Sequence, residues 1–244
     1  MFTGLKNMDE DQKRQADSLL TYALDHEALY TISDTLKPIS SVKLFRLPLL
    51  SKDTLVQQKA IDSLRKLYSL IHKLNTKELQ FILNPFEQND REYKNLELYV
   101  VRNSAISKVL QQYASFYARI GISENTSPAT VLSVTEFENK YDRWRSYGYL
   151  FGYPAHAVDF FVEAGKTQDS TGQFVQRNFF AIPVFAGATG YFTYAIPKTY
   201  QPTQIDSTLY YKAVNTLDQY RKVKEKNNSA SAFQLLKKMN QKKK

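Results

Sequence analysis

Residues 173–196 read QFVQRNFFAIPVFAGATGYFTYAI, the clearest extended pattern in the chain. Aromatic and β-branched residues are frequent from Gln173 to Phe185 and again from Tyr191 to Ile196. The small residues 186–190 between these two runs predict a hairpin with a five-residue loop. Because Pro183 has no amide proton to give to a β-ladder, its strand is expected at an edge.

Patterns typical of helices dominate the rest of the chain. The first helical element is predicted from about Asp9 to Leu36, with an interruption, because apolar residues recur every four positions until Pro38 ends it. A loop is predicted over residues 38–52. The remaining predicted elements are helices over 53–74, 104–120 (capped by Asn103), 128–138 (capped by Ser127), 140–151, 154–163 (stopped by Gly165) and 204–224, with strands over 78–83 and 96–102. The fold class is therefore α+β, with a mainly helical N-terminal half, a small and mostly antiparallel sheet, and a C-terminal helix.

The positive charge of this chain is concentrated at its C-terminal end. The formal net charge is +9, and residues 221–244 hold nine basic side chains against one acidic side chain. Residues 1–226 are therefore predicted to form one α+β domain, and residues 227–244 a basic, flexible tail. Apolar residues at near-helical spacing in this tail, with lysines around them, are compatible with weak contact to an acidic partner or to nucleic acid.

Composition excludes several classes of function. The chain contains no cysteine, which rules out disulfides, thiolate nucleophiles and cysteine-ligated zinc. Glycine-rich phosphate loops, the nucleophile elbow and the paired-histidine zinc motif are also absent, so no cofactor or metal is indicated. No apolar run is long enough to span a bilayer. The first residues do not resemble a secretory leader, so the cytoplasm is the default expectation for location.

His156 has the most informative surroundings of the three histidines. It follows Pro154 in the first turn of a predicted helix, and Asp159 and Glu163 lie on the same helical face. A histidine oriented by a carboxylate can act as a general acid or base, although ordinary packing explains the same pattern. His156 and Asp159 are therefore candidate catalytic residues. His26 and its neighbour Glu27 are a second candidate pair, since His26 lies away from the main apolar stripe of its helix.

The segment 141–153 combines arginines with aromatic rings. An arginine beside aromatic planes can stack on a ring or bind an anion through two hydrogen bonds. The chain then breaks at Gly152 and restarts a helix at Pro154, whose free N-terminal amides favour anions. An amphipathic helix that buries its rings is the simpler alternative. The candidate ligand-binding residues are Arg143, Arg145, Tyr147 and Tyr153.

Three functions are compatible with these patterns. The first is a non-catalytic binding or interaction domain for a small anionic or aromatic ligand, which would contact the arginine-rich and aromatic helix and His156. The second is an enzyme, of the hydrolase or lyase type, that uses His156 or His26 with a carboxylate. The third is association with nucleic acid through the basic tail. The sequence names no substrate for any of them.

Overall fold

The computed structural model describes residues 2–227 and 230–241. Within them a single 3-10 turn spans Thr3–Asn7. The helices are α1 (Glu10–Asp25), α2 (Leu29–Ile32), α3 (Thr54–Lys73), α4 (Asn103–Gln112), α5 (Ala114–Arg119), α6 (Pro128–Phe137), α7 (Lys140–Leu150), α8 (Ala155–Thr171), α9 (Gln204–Glu225) and α10 (Ala232–Gln241). The strands are β1 (Ile39–Leu47), β2 (Leu79–Asp90), β3 (Tyr93–Arg102), β4 (Arg177–Val184) and β5 (Gly187–Pro197).

These elements confirm the α+β fold class. One antiparallel sheet has the strand order β1-β3-β2, and β4 and β5 form a separate antiparallel hairpin. The hairpin pairs from Arg177 with Pro197 to Val184 with Gly187, so the chain reverses over two residues rather than the predicted five. The register shifts at Pro183, as expected for a residue that cannot donate to the ladder.

The prediction of a loop over 38–52 is wrong, because β1 lies there as an edge strand. Its pairing with β3 runs from Ile39 opposite Val101 to Leu47 opposite Lys94. The register shifts between Ser41 and Lys43. A bulge of this kind reverses which residues face the core, so the strand lacks the clean alternation by which strands are recognised.

The first helical element is interrupted as expected, and the break lies at His26, between α1 and α2. Helix α1 ends at Asp25, and the backbone of His26 is extended at φ −115° and ψ −164°. The His26 ring lies 2.7 Å from the carbonyl oxygen of Tyr22 through Nδ1 and stacks on the Tyr22 ring. The apolar stripe resumes in α2, so the spacing of apolar residues does not locate the break.

Two other predicted helix boundaries are also wrong. Helix α8 continues through Gly165 to Thr171 and ends at Gly172, which has a left-handed φ of 71°. A Cβ at Gly165 would lie 2.4 Å from the Trp144 ring, so this glycine serves close packing rather than termination. Asn103 is the first residue of α4 rather than its cap, because its side-chain amide donates to the carbonyl of Lys77.

The three-stranded sheet separates two groups of core side chains. Leu96, Leu98 and Val100 of β3 face a core formed with α1, α2, α3, α9, α10 and the hairpin. The alternate residues Tyr99 and Val101 face a second core formed with helices α4 to α8. This alternation follows the two-residue period of a strand. The second side of the sheet carries the cavities described below.

The expectation of a loosely attached tail is corrected for residues 230–241. Helix α10 buries its apolar face against the core, through Ala232, Leu235, Leu236 and Met239. Asp17 of α1 accepts a hydrogen bond from the amide of Ala232 at 2.7 Å, which caps the N-terminus of α10. Lys237 and Lys238 lie on the exposed side. Positions 228–229 and 242–244 of the predicted tail lie outside the described residues.

Candidate functional site

A cavity of about 340 Å³ lies where α6 and α7 meet the sheet. We call it the aromatic cavity. Its lining residues are Phe86, Gln88, Tyr99, Glu136, Arg143, Trp144, Tyr147 and Phe151. The rings of Tyr99, Tyr147 and Phe151 lie within 5.8–6.3 Å of one another, centroid to centroid, and make one continuous wall. Its volume is in the range of small-molecule sites, in which apolar walls surround a few fixed polar groups.

The carboxylate of Glu136 is the fixed polar group of this cavity. It is only 7% exposed. The Tyr147 hydroxyl donates to its Oε2 at 2.7 Å, and the backbone amide of Glu87 donates to its Oε1 at 3.1 Å. A carboxylate oxygen has two lone pairs, so each oxygen retains acceptor capacity for another donor. Burial raises the pKa of Tyr147 above its ordinary value, which keeps this phenol protonated as a donor.

An irregularity in β2 brings the backbone amide of Glu87 to the Glu136 carboxylate. The pairing of β2 with β3 shifts between Pro85 and Asn89, which leaves Phe86–Gln88 out of the regular ladder. The Glu87 amide then donates to Glu136 of α6 instead of to a strand. The Glu87 carboxylate binds Arg143 at 2.6 Å, and Arg143 also donates to the Glu136 carbonyl at 3.0 Å. The arginine of the cavity is thus held in place by α6 and β2.

A buried ion pair lies behind the aromatic wall. Lys37 is fully buried, and its Nζ donates to Oε2 of Glu27 at 2.9 Å. The ammonium group lies over three rings, 4.2 Å from the centroid of Phe192, 4.9 Å from Phe151 and 5.3 Å from Tyr153. Burial lowers the pKa of Lys37, and the charge of Glu27 partly offsets this effect. The Phe151 ring therefore lines the aromatic cavity and also packs against the Lys37 ammonium.

Gly152 allows the turn after α7 to approach the segment that carries Lys37. It has a φ of 76°, and a Cβ there would lie 2.7 Å from the carbonyl oxygen of Leu36 and 3.1 Å from Cδ of Pro38. Only glycine accepts both the left-handed backbone and this contact without strain.

A second buried acidic group interacts with Glu27. Burial raises the pKa of Glu97 to about 7, despite a hydrogen bond with Ser41, and the charge of Glu27 raises it further.

A second cavity, of about 430 Å³, contains His156, and we call it the His156 groove. Its lining residues are Val109, Gln112, Tyr113, Tyr149, Gly152, Tyr153, Pro154, Ala155, His156, Ile205 and Leu209. Nε2 of His156 lies 2.9 Å from the Tyr200 hydroxyl and 3.2 Å from Oδ1 of Asp206. The His156 ring also stacks on Tyr200. The carboxylate that orients His156 is therefore Asp206 of α9 and not the predicted Asp159.

Asp206 is fully buried and accepts several hydrogen bonds. Tyr194 donates at 2.6 Å, Tyr200 at 2.6 Å, and the amide and hydroxyl of Thr203 each at 2.8 Å. Burial alone would raise the pKa of Asp206, but these donors outweigh it and lower the pKa to about 2. Asp206 is thus ionised at neutral pH, and it joins α8, β5 and the start of α9.

The lowered pKa of Asp206 predicts an acid-dependent loss of stability. Its ordinary pKa is 3.8, so the stabilisation is complete above pH 3.8 and is lost as the pH falls toward 2. One pKa unit corresponds to about 1.4 kcal/mol, so the free energy of unfolding of Asp206→Asn should be about 2 kcal/mol lower than that of the native chain at neutral pH. Urea titrations at several pH values should show this difference shrinking between about pH 4 and pH 2.

Asp159→Asn is the matched control for this titration. Asp159 is an exposed partner of Arg145, and exposed ion pairs contribute roughly 0–1 kcal/mol. A difference for Asp206→Asn that stays constant down to pH 2 would contradict the assignment of a charged, hydrogen-bonded Asp206.

The predicted site residues do not converge on one place. Arg143 and Tyr147 line the aromatic cavity, whereas Tyr153 and His156 line the His156 groove. Arg145 lies in a third cavity, of about 700 Å³, where it binds Asp159 and the Tyr149 hydroxyl. The remaining pair, His26 and Glu27, is divided, because His26 stacks on Tyr22 while Glu27 binds Lys37.

Several important residues were missed by the sequence analysis. A readable signal existed for Asp206, because Thr203 and Asp206 have the spacing of a capping box, which the structure contains. Glu136 and Tyr99 gave no local signal, since their partners come from other elements. Lys37 has no signal of its own beyond its place before Pro38, which ends the predicted helix.

Neither metal-binding groups, nor membrane-spanning helices, nor similarity to known proteins adds a functional assignment. Within residues 2–227 and 230–241, no group of three or more histidine or acidic side chains has the arrangement of a metal site. In the same residues, no helix combines the length and apolar character needed to cross a bilayer. Comparison with protein-family models, with curated proteins and with solved structures returned no match.

Proposed function

We propose that this protein is a binding domain for a small aromatic molecule that carries a cationic or hydrogen-bond-donating group, held in the aromatic cavity. The observation that carries this proposal is the Glu136 carboxylate, nearly buried among aromatic rings and fixed by two donors. The rings offer stacking surfaces, and their faces also attract cations. Glu136 supplies an acceptor whose position does not depend on the ligand.

The charges around the cavity favour a cation over an anion. Glu136 and Arg143 are the charged side chains among the described lining residues, and Arg143 is already paired with Glu87 beside the cavity. Glu136 accepts from two neutral donors, so its negative charge is not balanced by this pair. Arg145 is likewise paired with Asp159 in a different cavity. An anionic ligand would be repelled by the Glu136 carboxylate and would have to displace Glu87 from Arg143, so of the two predicted ligand types we retain the aromatic one.

The single tryptophan of the chain provides a direct assay. Trp144 lines the cavity, so its fluorescence should report a ligand bound there. Three probes of similar size would be titrated: benzamidine as the cation, benzyl alcohol as the neutral donor and benzoate as the anion. We expect saturable changes with benzamidine, weaker ones with benzyl alcohol and none with benzoate. Glu136→Gln should weaken benzamidine binding roughly tenfold or more, since a charge-assisted hydrogen bond contributes about 1.5–3 kcal/mol.

Glu138→Gln is the matched control, because Glu138 follows the same helix but does not line the cavity. It should bind benzamidine as tightly as the native chain does. Tighter binding of benzoate than of benzamidine, or equal loss in both glutamate variants, would overturn the proposal. Thermal unfolding of each variant would confirm that the comparison is made on folded protein.

A further inference from the structure

We propose that His156 is a general base that can activate water for the hydrolysis of an uncharged ester bound in the His156 groove. This inference is independent of the aromatic cavity. It depends on the two nitrogens of the His156 ring, which have different surroundings. Nε2 is directed to Tyr200 and Asp206, whereas none of the residues described by the structure hydrogen bonds to Nδ1. The His156 side chain is 29% exposed, and Nδ1 is not among the buried atoms without a partner in the described residues.

The hydrogen bonds fix the tautomer required of a base. The Tyr200 hydroxyl donates its only proton to Oδ2 of Asp206 at 2.6 Å. Nε2 of His156 must therefore carry a hydrogen, which it directs toward the Tyr200 oxygen and Oδ1 of Asp206. In the neutral ring Nδ1 is then the acceptor. A buried carboxylate also stabilises the imidazolium that forms when Nδ1 takes a proton.

The lining of the groove indicates the class of substrate. His156 is its one titratable member other than the three tyrosines, and its remaining side chains are apolar or neutral. An uncharged substrate with an aromatic or aliphatic portion therefore fits better than a charged one. Ala155 and His156, the first two residues of α8, both line the groove. The backbone amides in the first turn of a helix have no partner within the helix and can donate to an oxygen that becomes negative.

The reaction balances without a cofactor. Water loses a proton to Nδ1 as its oxygen bonds to the ester carbonyl carbon, whose π electrons move onto the carbonyl oxygen. When the carbonyl reforms, the bond to the leaving oxygen breaks, and that oxygen receives the proton from Nδ1. The products are a carboxylic acid and an alcohol or phenol, and Nδ1 is again unprotonated.

The test measures hydrolysis of p-nitrophenyl acetate above a buffer blank. We expect the native chain to accelerate it, and His156→Gln to lower kcat/KM roughly 100-fold, as is typical for removal of a general base. His26→Gln and His72→Gln, at the only other histidines of the chain, should retain the native rate. Ile205→Trp should also lower kcat/KM, because Ile205 lines the groove without taking part in the hydrogen bonds around Asp206.

The hydrolysis rates of these variants decide whether His156 acts as a general base. A folded His156→Gln variant with the native rate, or a native chain no faster than the blank, would overturn the proposal. An acetyl group found on His156 by mass spectrometry would also overturn it, since His156 would then be a nucleophile and not a base. If His156→Gln does not fold, an unchanged rate in Ile205→Trp has the same consequence, whereas a reduced rate supports the groove as the site.

Discussion

Lys37→Met is expected to reduce the free energy of unfolding by about 3–5 kcal/mol, because it leaves the carboxylate of Glu27 without its partner in a largely buried position. The methionine fills a similar volume, so the loss comes from the charge rather than from a cavity. The contacts of the ammonium with Phe151, Tyr153 and Phe192 are lost at the same time. Urea unfolding followed by circular dichroism measures the change.

The double variant Lys37→Met/Glu27→Gln separates the pair from its surroundings. Replacement of both partners removes the unpaired charge. The double variant should therefore have a higher free energy of unfolding than Lys37→Met alone. Lys43→Met is the control, since Lys43 is exposed and should change stability by no more than about 0.5 kcal/mol. A loss below about 1 kcal/mol in Lys37→Met would show that the pair does not stabilise the fold.

The parts of the fold that could be predicted from the sequence are those with strong local signals. The hairpin and α9 were found from periodicity, and the Ser127 side chain accepts from the amide of Thr130 as its capping pattern predicted. Strand β1 could not be predicted, because the bulge between Ser41 and Lys43 removes its alternation. Local patterns therefore gave the fold class but not the complete sheet.

The candidate sites are less accessible to sequence reasoning, because their partners are far apart in the chain. The rings around Lys37 come from the turn after α7 and from β5, and only tertiary packing brings them together. The same is true of His156, whose carboxylate lies 50 residues later at Asp206. The sequence could identify His156 as a candidate, yet Asp159 on its own helix was the natural but wrong partner.

The packing of α10 leads to the second large expected effect. Leu235→Ala and Met239→Ala should each reduce the free energy of unfolding by roughly 2–5 kcal/mol, because both side chains are at most 3% exposed and belong to the main core. Lys237→Ala, on the exposed side of the same helix, should stay within about 0.5 kcal/mol of the native chain. Urea unfolding of the full-length chain measures all three.

These variants decide between two physical descriptions of the C-terminal segment. An amphipathic helix whose apolar face fills its own core does not offer that face to a membrane or a partner, and its described exposed side chains are Gln234, Lys237, Lys238 and Gln241. Contact of this segment with nucleic acid then stays a prediction based on charge alone, which would weaken steeply as salt rises. If Leu235→Ala and Met239→Ala were as stable as Lys237→Ala, α10 would contribute nothing to the fold. The apolar face would then be available to a partner, as the sequence pattern first indicated.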